Sequence, residues 1–192
     1  MVESTRDNKA IIVKTAIRLF TVQGFQGAPT SLIAKESGVS TGTLFYYFPT
    51  KEELITSIYF QIKERLENEF SSGVNDEKSI ERKARRLWSN IIRWGVKNPD
   101  EFLFMEQFNS SPYMVNIAKK NAMTNDDIVY EVFSEAIRKG ALKDADPVVA
   151  FIMVVSSARG IVKSMIDSKG KLDVDESIDQ SFRLMWKGMS GE

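Results

Sequence analysis

The chain is predicted to be all-α, with about nine helices divided between a short N-terminal three-helix head, residues 1–50, and a larger helical body, residues 51–192. Apolar residues recur at helical spacing nearly throughout. Neither sustained period-two alternation nor a β-hairpin dipeptide is found. Glycine, proline and capping residues also punctuate the chain at intervals suited to helices.

The first helix is placed at residues 6–23. Ile12, Val13, Ala16, Leu19 and Phe20 form one stripe, and Gly24 supplies a stop. A short second helix follows Pro29 and Thr30, carries Leu32, Ile33 and Ala34, and ends at Gly38. A third starts after Ser40, a good N-cap, and runs to Tyr47 before Pro49 breaks it. Thr50 and Glu53 make a capping box for a fourth, longer helix, with Leu54, Ile55, Ile58, Ile62 and Leu66 as its buried stripe. Further helices are placed at 77–97 (Ile80, Ala84, Leu87, Trp88, Ile91, Trp94), 100–108 and 112–139, the last with a break at 124–126. The final pair spans 147–169 and 174–189, the latter opened by a capping box at Asp173 and Glu176.

Composition narrows the function. The chain has neither cysteine nor histidine, which removes disulfides, thiol nucleophiles, the commonest general base and the commonest metal ligands. No cofactor, metal site or enzymatic activity is expected. Acidic pairs such as Glu52-Glu53 and Asp126-Asp127 read as caps or solvated faces. The longest apolar run, Val148 to Val155, is far short of the roughly 20 residues of a membrane span, and the N-terminus lacks a signal pattern. A cytoplasmic protein with no membrane partner is the expectation. Net charge is zero, but residues 1–51 hold six basic groups against three acidic ones, leaving +3 in front and −3 behind. The front is the natural side for a polyanion.

A helix-turn-helix needs two compact helices joined by a glycine turn with small apolar residues at the hinge, and Ala34, Gly38, Val39 and Leu44 meet that need. Glycine turns also join helical hairpins that bind no DNA, so the following residues matter. Ile12, Ala16, Phe20, Gly24 and Phe25, then Ile33, Ala34, Gly38, Val39, Ser40, Gly42, Thr43, Leu44, Phe45, Phe48, Lys51 and Leu54, stand in a characteristic order and register. In these residues the chain resembles the TetR (tetracycline-repressor) family of transcriptional regulators. The resemblance covers residues 8–58, under a third of the chain. Beyond it only the architecture and the stretch Phe104 to Tyr113 are similar to some members. One departure is Ala28-Pro29, where many members have Thr or Ser, so Thr30 or the proline must start the second helix.

The resemblance implies a homodimer that reads a pseudo-palindromic operator in double-stranded DNA with two heads. Gly42 would let the third helix approach the major groove. Ser40, Thr41 and Thr43 offer hydroxyls and Tyr46 and Tyr47 phenols to phosphates and base edges. Lys51 is a phosphate contact by resemblance, with Thr30 and Ser31 touching the backbone from the second helix. Phe45 and Phe48 are assigned to the head's core.

In the body, the last two helices form a four-helix dimer interface in this family. Phe151, Val155, Val162, Phe182, Met185, Trp186 and Met189 are its candidates here. Trp88, Phe102, Met105, Phe108, Tyr113, Tyr130 and Phe133, with Trp94, Met114 and Met153, lie on helices that surround the family's effector pocket; they suit a small apolar or amphipathic ligand, with Glu106, Gln107 and Asn109 to orient it. The expected mechanism is repression relieved when ligand, acting through the fourth helix, changes the separation of the heads, with activation, or DNA binding only with ligand, as the other outcomes of the same linkage. The alternative is an adaptor that kept the helix-turn-helix without specific DNA binding.

Overall fold

The computed structural model describes residues 2–115 and 127–190, with side chains from residue 8 onward. Among the described residues the regular elements are helices: α1 (Val2–Gly27), α2 (Thr30–Glu36), α3 (Thr41–Tyr47), α4 (Lys51–Ser71), α5 (Ile80–Lys97), α6 (Pro99–Asn109), α7 (Ile128–Arg138), α8 (Pro147–Asp167) and α9 (Val174–Ser190). Residues 112–115 are also helical. The break expected at 124–126 lies outside the described residues.

Most ends coincide with residues that can satisfy free backbone groups. Gly24, at φ 73°, interrupts α1 where a stop is expected. Thr50 Oγ1 accepts from the Glu53 amide at 3.1 Å, and Asp173 Oδ1 from the Glu176 amide at 2.8 Å, realising the capping oxygens expected for α4 and α9. Helix α5 starts three residues later than expected because Ser79 Oγ takes up the Arg82 amide at 3.2 Å. The start of α2 also differs from expectation: Pro29 occupies the N-cap in extended backbone and no side chain caps the helix. The Pro29 carbonyl instead accepts from the Leu32 and Ile33 amides.

The chain forms two compact units. The first draws on the described residues of 1–64 and 100–122, the second on those of 65–99 and 123–190. This grouping differs from a division at residue 50, for a packing reason. Phe104 of α6 lies against Phe20 and Phe25 at centroid distances of 6.3 and 5.4 Å, and Phe108 stacks on Tyr59 at 4.2 Å. Gln107 Nε2 also donates to the Thr21 carbonyl at 3.2 Å. An aromatic cluster therefore ties α6 and the first part of α4 to the three N-terminal helices.

In the second unit α5, α7, α8 and α9 pack on one another. Ala84, Leu87, Trp88 and Ile92 of α5 meet a core that includes Val132 and Phe133 of α7, Val154 and Ala158 of α8, and Phe182 of α9. Ile92 replaces Ile91 on the buried side, and Ile91 is half-buried. Gly95 is the point of closest approach: a Cβ there would lie 2.5 Å from Val162 Cγ1. By length and composition α8 could cross a membrane. Here one side of it, Ala150, Val154, Ala158, Val162 and Met165, is buried within the unit, while Val148, Val149, Ile152 and Met153 are exposed.

Candidate nucleic-acid interface

The turn between α2 and α3 is closed by two backbone hydrogen bonds. Gly38, at φ 69°, donates to the Lys35 carbonyl at 3.2 Å, and Val39 donates to the Ala34 carbonyl at 3.1 Å. These two bonds make a Schellman cap, and its left-handed residue favours glycine. Ala34 is buried at the crossing, and Leu44 anchors α3 beneath the turn. With Ile12, Ala16, Phe20 and Ile33 they build the head's core.

Only Leu44 of α3 is buried, so the rest of the helix faces outward or lies at its margin. Thr41 and Gly42 are exposed, and Tyr46 is 79% exposed. Tyr47 is half-buried, its ring edge-on to Tyr46 at 5.2 Å. Phe45 departs from the core assignment: it is 41% exposed, because α3 turns a single residue, Leu44, fully inward, whereas Phe48 is buried as expected. An exposed phenylalanine beside two tyrosines adds apolar surface suited to thymine methyls.

Two of the hydroxyls are engaged within the head. Ser40 Oγ accepts from the Thr43 amide at 3.0 Å, and the Ser40 and Thr43 hydroxyls lie 2.8 Å apart. Ser40 therefore caps the helix as well as facing solvent. Ser40→Ala is expected to cost about 1 kcal/mol of stability, measurable as a lowered denaturation midpoint. An unchanged midpoint would mean that the cap is not needed.

The second helix contributes Thr30, half-buried, and Ser31, exposed. Lys51, in the first turn of α4, places its ammonium 5.9 Å from the Phe20 ring centroid, and partial burial there holds its pKa below the usual lysine value. Lys9 sits similarly over Phe48, and Arg18 is ion-paired with Glu36. Lys9 and Lys51 are thus held over aromatic rings of the head's core, and Arg18 on α2.

The body candidates divide between the two units. Phe102 and Phe108 are buried in the first, with Met105 and Tyr113 half-buried there; Trp88 and Phe133 are buried in the second, with Tyr130 half-buried. Several have packing or hydrogen-bond partners of their own. Trp88 Nε1 donates to Ser181 Oγ at 3.0 Å, Tyr113 meets Phe25 edge-on, and Tyr130 meets Phe151. Among the interface candidates, Val162, Phe182 and Trp186 are buried by the packing of the single chain. Val162 fills the space over Gly95, and Phe182 stacks on Trp186 at 5.6 Å. Phe151, Val155, Met185 and Met189 keep partial exposure. The apolar surface that the sequence reading missed as a set is Val148, Val149, Ile152 and Met153 on α8 with Leu184 on α9, the last 77% exposed. Their signal was present in the all-round apolar character of 148–155, which a helix buried on one side only must expose elsewhere.

A glycine-turned helix pair presenting a short, polar, tyrosine-bearing helix, carried by a chain with a separate helical unit, defines a helix-turn-helix transcriptional regulator. Comparison with known proteins agrees. Residues 12–58 match the family described as bacterial regulatory proteins, tetR family, and residues 80–190 match the tetracyclin repressor-like C-terminal domain. A helix-turn-helix transcriptional regulator of Haemophilus influenzae is 24% identical over 173 residues, covering 88% of this chain and 91% of that protein. A TetR-family regulator from Shewanella sp. PV-4 superposes with a TM-score of 0.81 at 26% identity, covering 95% and 97% of the two chains. The regulator AibR, solved with isovaleryl coenzyme A and operator DNA, shares the fold at a TM-score of 0.78 and 20% identity, over 93% and 98% of the chains. The chain belongs to the TetR family.

Proposed function

We propose that the chain is a homodimeric repressor that binds a pseudo-palindromic operator and is released by a small apolar or amphipathic ligand. The observation that carries the DNA reading is α3, anchored by one buried leucine and otherwise offering Thr41, Gly42, Phe45, Tyr46 and Tyr47 outward. Thr43 lies within it, Ser40 and Lys51 flank it, and Thr30 and Ser31 supply backbone contacts from α2. A single head, with a seven-residue α3, makes too few base contacts for specificity, so two heads are required.

The dimer reading is supported by the exposed apolar side chains of α8 and α9, with Phe151, Val155, Met185 and Met189 at their margin. The effector reading is supported by the ligand-bound state of AibR, a neighbour in fold. Met105, Tyr113, Met114, Tyr130 and Met153 are among the candidate contacts that retain exposure in the free chain. Ligand and DNA then oppose each other by linkage, and α4, continuous from Lys51 to Ser71, is the element that would carry the change.

The test is selection of binding sites from a random double-stranded DNA library, followed by affinity against salt. Recovery of a two-fold symmetric motif is expected, with affinity falling steeply as salt rises. Lys51→Ala should lower the salt slope by about 1 per head while leaving the selected motif unchanged. No enrichment above background would overturn specific DNA recognition and favour an adaptor.

A further inference from the structure

Helix α5 concentrates positive charge in a chain whose net charge is zero. It carries Arg82, Lys83, Arg85, Arg86, Arg93 and Lys97 against a single acidic residue, Glu81. Arg82, Arg85, Arg86, Ser89 and Arg93 recur at i, i+3, i+4, i+7 and i+11 and so share one face, opposite the buried side formed by Ala84, Leu87, Trp88, Ile92 and Gly95. That arginine face lines an open groove of about 640 Å³ within the second unit, with Ile178 and Asp179 of α9 on its other side and Glu77 at one end.

The guanidinium groups are positioned there. Arg85 pairs with Asp179 at 2.5 Å, Arg86 with Glu77 at 3.4 Å, and Arg93 with Asp175. Ser89 Oγ accepts from Arg93 Nε at 3.1 Å, and Gly73, whose missing side chain would stand 3.6 Å from Arg86 Nε, leaves room for that arginine. Arg82 meets no carboxylate among the described residues. The three paired arginine side chains are each about half exposed, and exposed pairs of this kind hold their partners weakly. Phosphate is the better partner for such an array, because each planar guanidinium can grip it with two parallel hydrogen bonds.

We propose that the α5 groove is a binding site for a small ligand carrying a diphosphate or longer phosphate ester, with Arg82, Arg85 and Arg86 as its phosphate contacts and Arg93 as a second anchor farther along the helix. The volume lies within the range of small-molecule sites. Glu77, Glu81 and Asp179 interrupt the positive surface, so it suits a compact anion placed among them rather than the continuous backbone of a nucleic acid. A free nucleotide and the nucleotide portion of a coenzyme A thioester share this chemistry. The site stands apart from the operator reading, since neither its residues nor its test involve DNA.

The test is titration calorimetry of the full-length chain, without DNA, against tripolyphosphate, ADP and coenzyme A. Saturable binding of one ligand per chain is expected. Arg82→Ala should weaken it at least threefold and the Arg82→Ala, Arg86→Ala double variant at least tenfold. Lys97→Ala, which removes a like charge from the same helix outside the groove, should leave it unchanged. Coenzyme A binding tenfold tighter than ADP would identify the coenzyme A moiety as the source, and equal affinities the free nucleotide. Because Arg82 pairs with no carboxylate among the described residues, its single variant keeps the test valid if the double variant is unstable. Absence of saturable binding for all three probes, or equal weakening by Lys97→Ala, would overturn the proposal.

Discussion

Gly42→Glu is expected to abolish operator binding while leaving the fold intact. In the free chain a Cβ at Gly42 would meet nothing closer than Ser40 Oγ at 3.7 Å, an ordinary contact, and the residue is exposed in the first turn of α3. Nothing in the protein therefore calls for glycine here, and Gly42→Ala should even steady the helix by roughly 0.5–1 kcal/mol. The requirement arises on the DNA side, where a side chain would hold α3 away from the groove floor and a carboxylate would face phosphates. Loss of one or two base contacts at about 1–3 kcal/mol each, repeated in both heads of the proposed dimer, lowers affinity on the order of 100-fold or more. The measurement is operator affinity beside a thermal melt. A variant that binds normally would show that α3 does not enter the groove; one that unfolds would show that Gly42 has a structural role.

Gly95→Ala is expected to act in the opposite way, on stability first. The new methyl would stand 2.5, 2.9 and 3.3 Å from Cγ1, Cγ2 and Cβ of Val162, closer than carbon atoms pack without movement. Val162 is 1% exposed and Gly95 lies inside α5, so α5 and α8 must separate or Val162 must leave its rotamer. Overpacking of this kind costs about 1–3 kcal/mol, set against a helix-propensity gain of roughly 0.5–1 kcal/mol. The melting temperature should fall by several degrees, at about 2–4 °C for each kcal/mol in a chain of this size. Val162→Ala in the same chain should restore part of the loss, because it removes two of the three clashing atoms. A Gly95→Ala variant as stable as the parent, or a double variant in which the two losses simply add, would show that the helices do not meet here as described.

These two glycines mark the limit of what was legible in the sequence. Gly42 was singled out from its place in the helix-turn-helix register, where a short local pattern sets both the turn and the exposed helix. Gly95 carries no such mark, because its reason is Val162, 67 positions later in the chain. The same contrast separates Phe48 from Phe45. Both belong to the family pattern, yet only packing on a three-helix core decided that Leu44 would fill the interior and Phe45 would remain at the surface.

By itself the sequence determined the all-α class, most helix ends, the Gly38 turn with its Ser40 cap, and membership of the TetR family. Each of these depends on residues close together along the chain, where capping hydrogen bonds, left-handed backbone and helical periodicity act over a few positions. Tertiary structure alone decided that α6 joins the N-terminal helices through Phe104, that Val162, Phe182 and Trp186 are used within one chain, and that four arginines of α5 line an open groove bordered by α9. An apolar stripe records that a face will be covered. Which distant residues cover it, and so which faces remain for partners, follows from shape and volume complementarity between segments far apart in sequence.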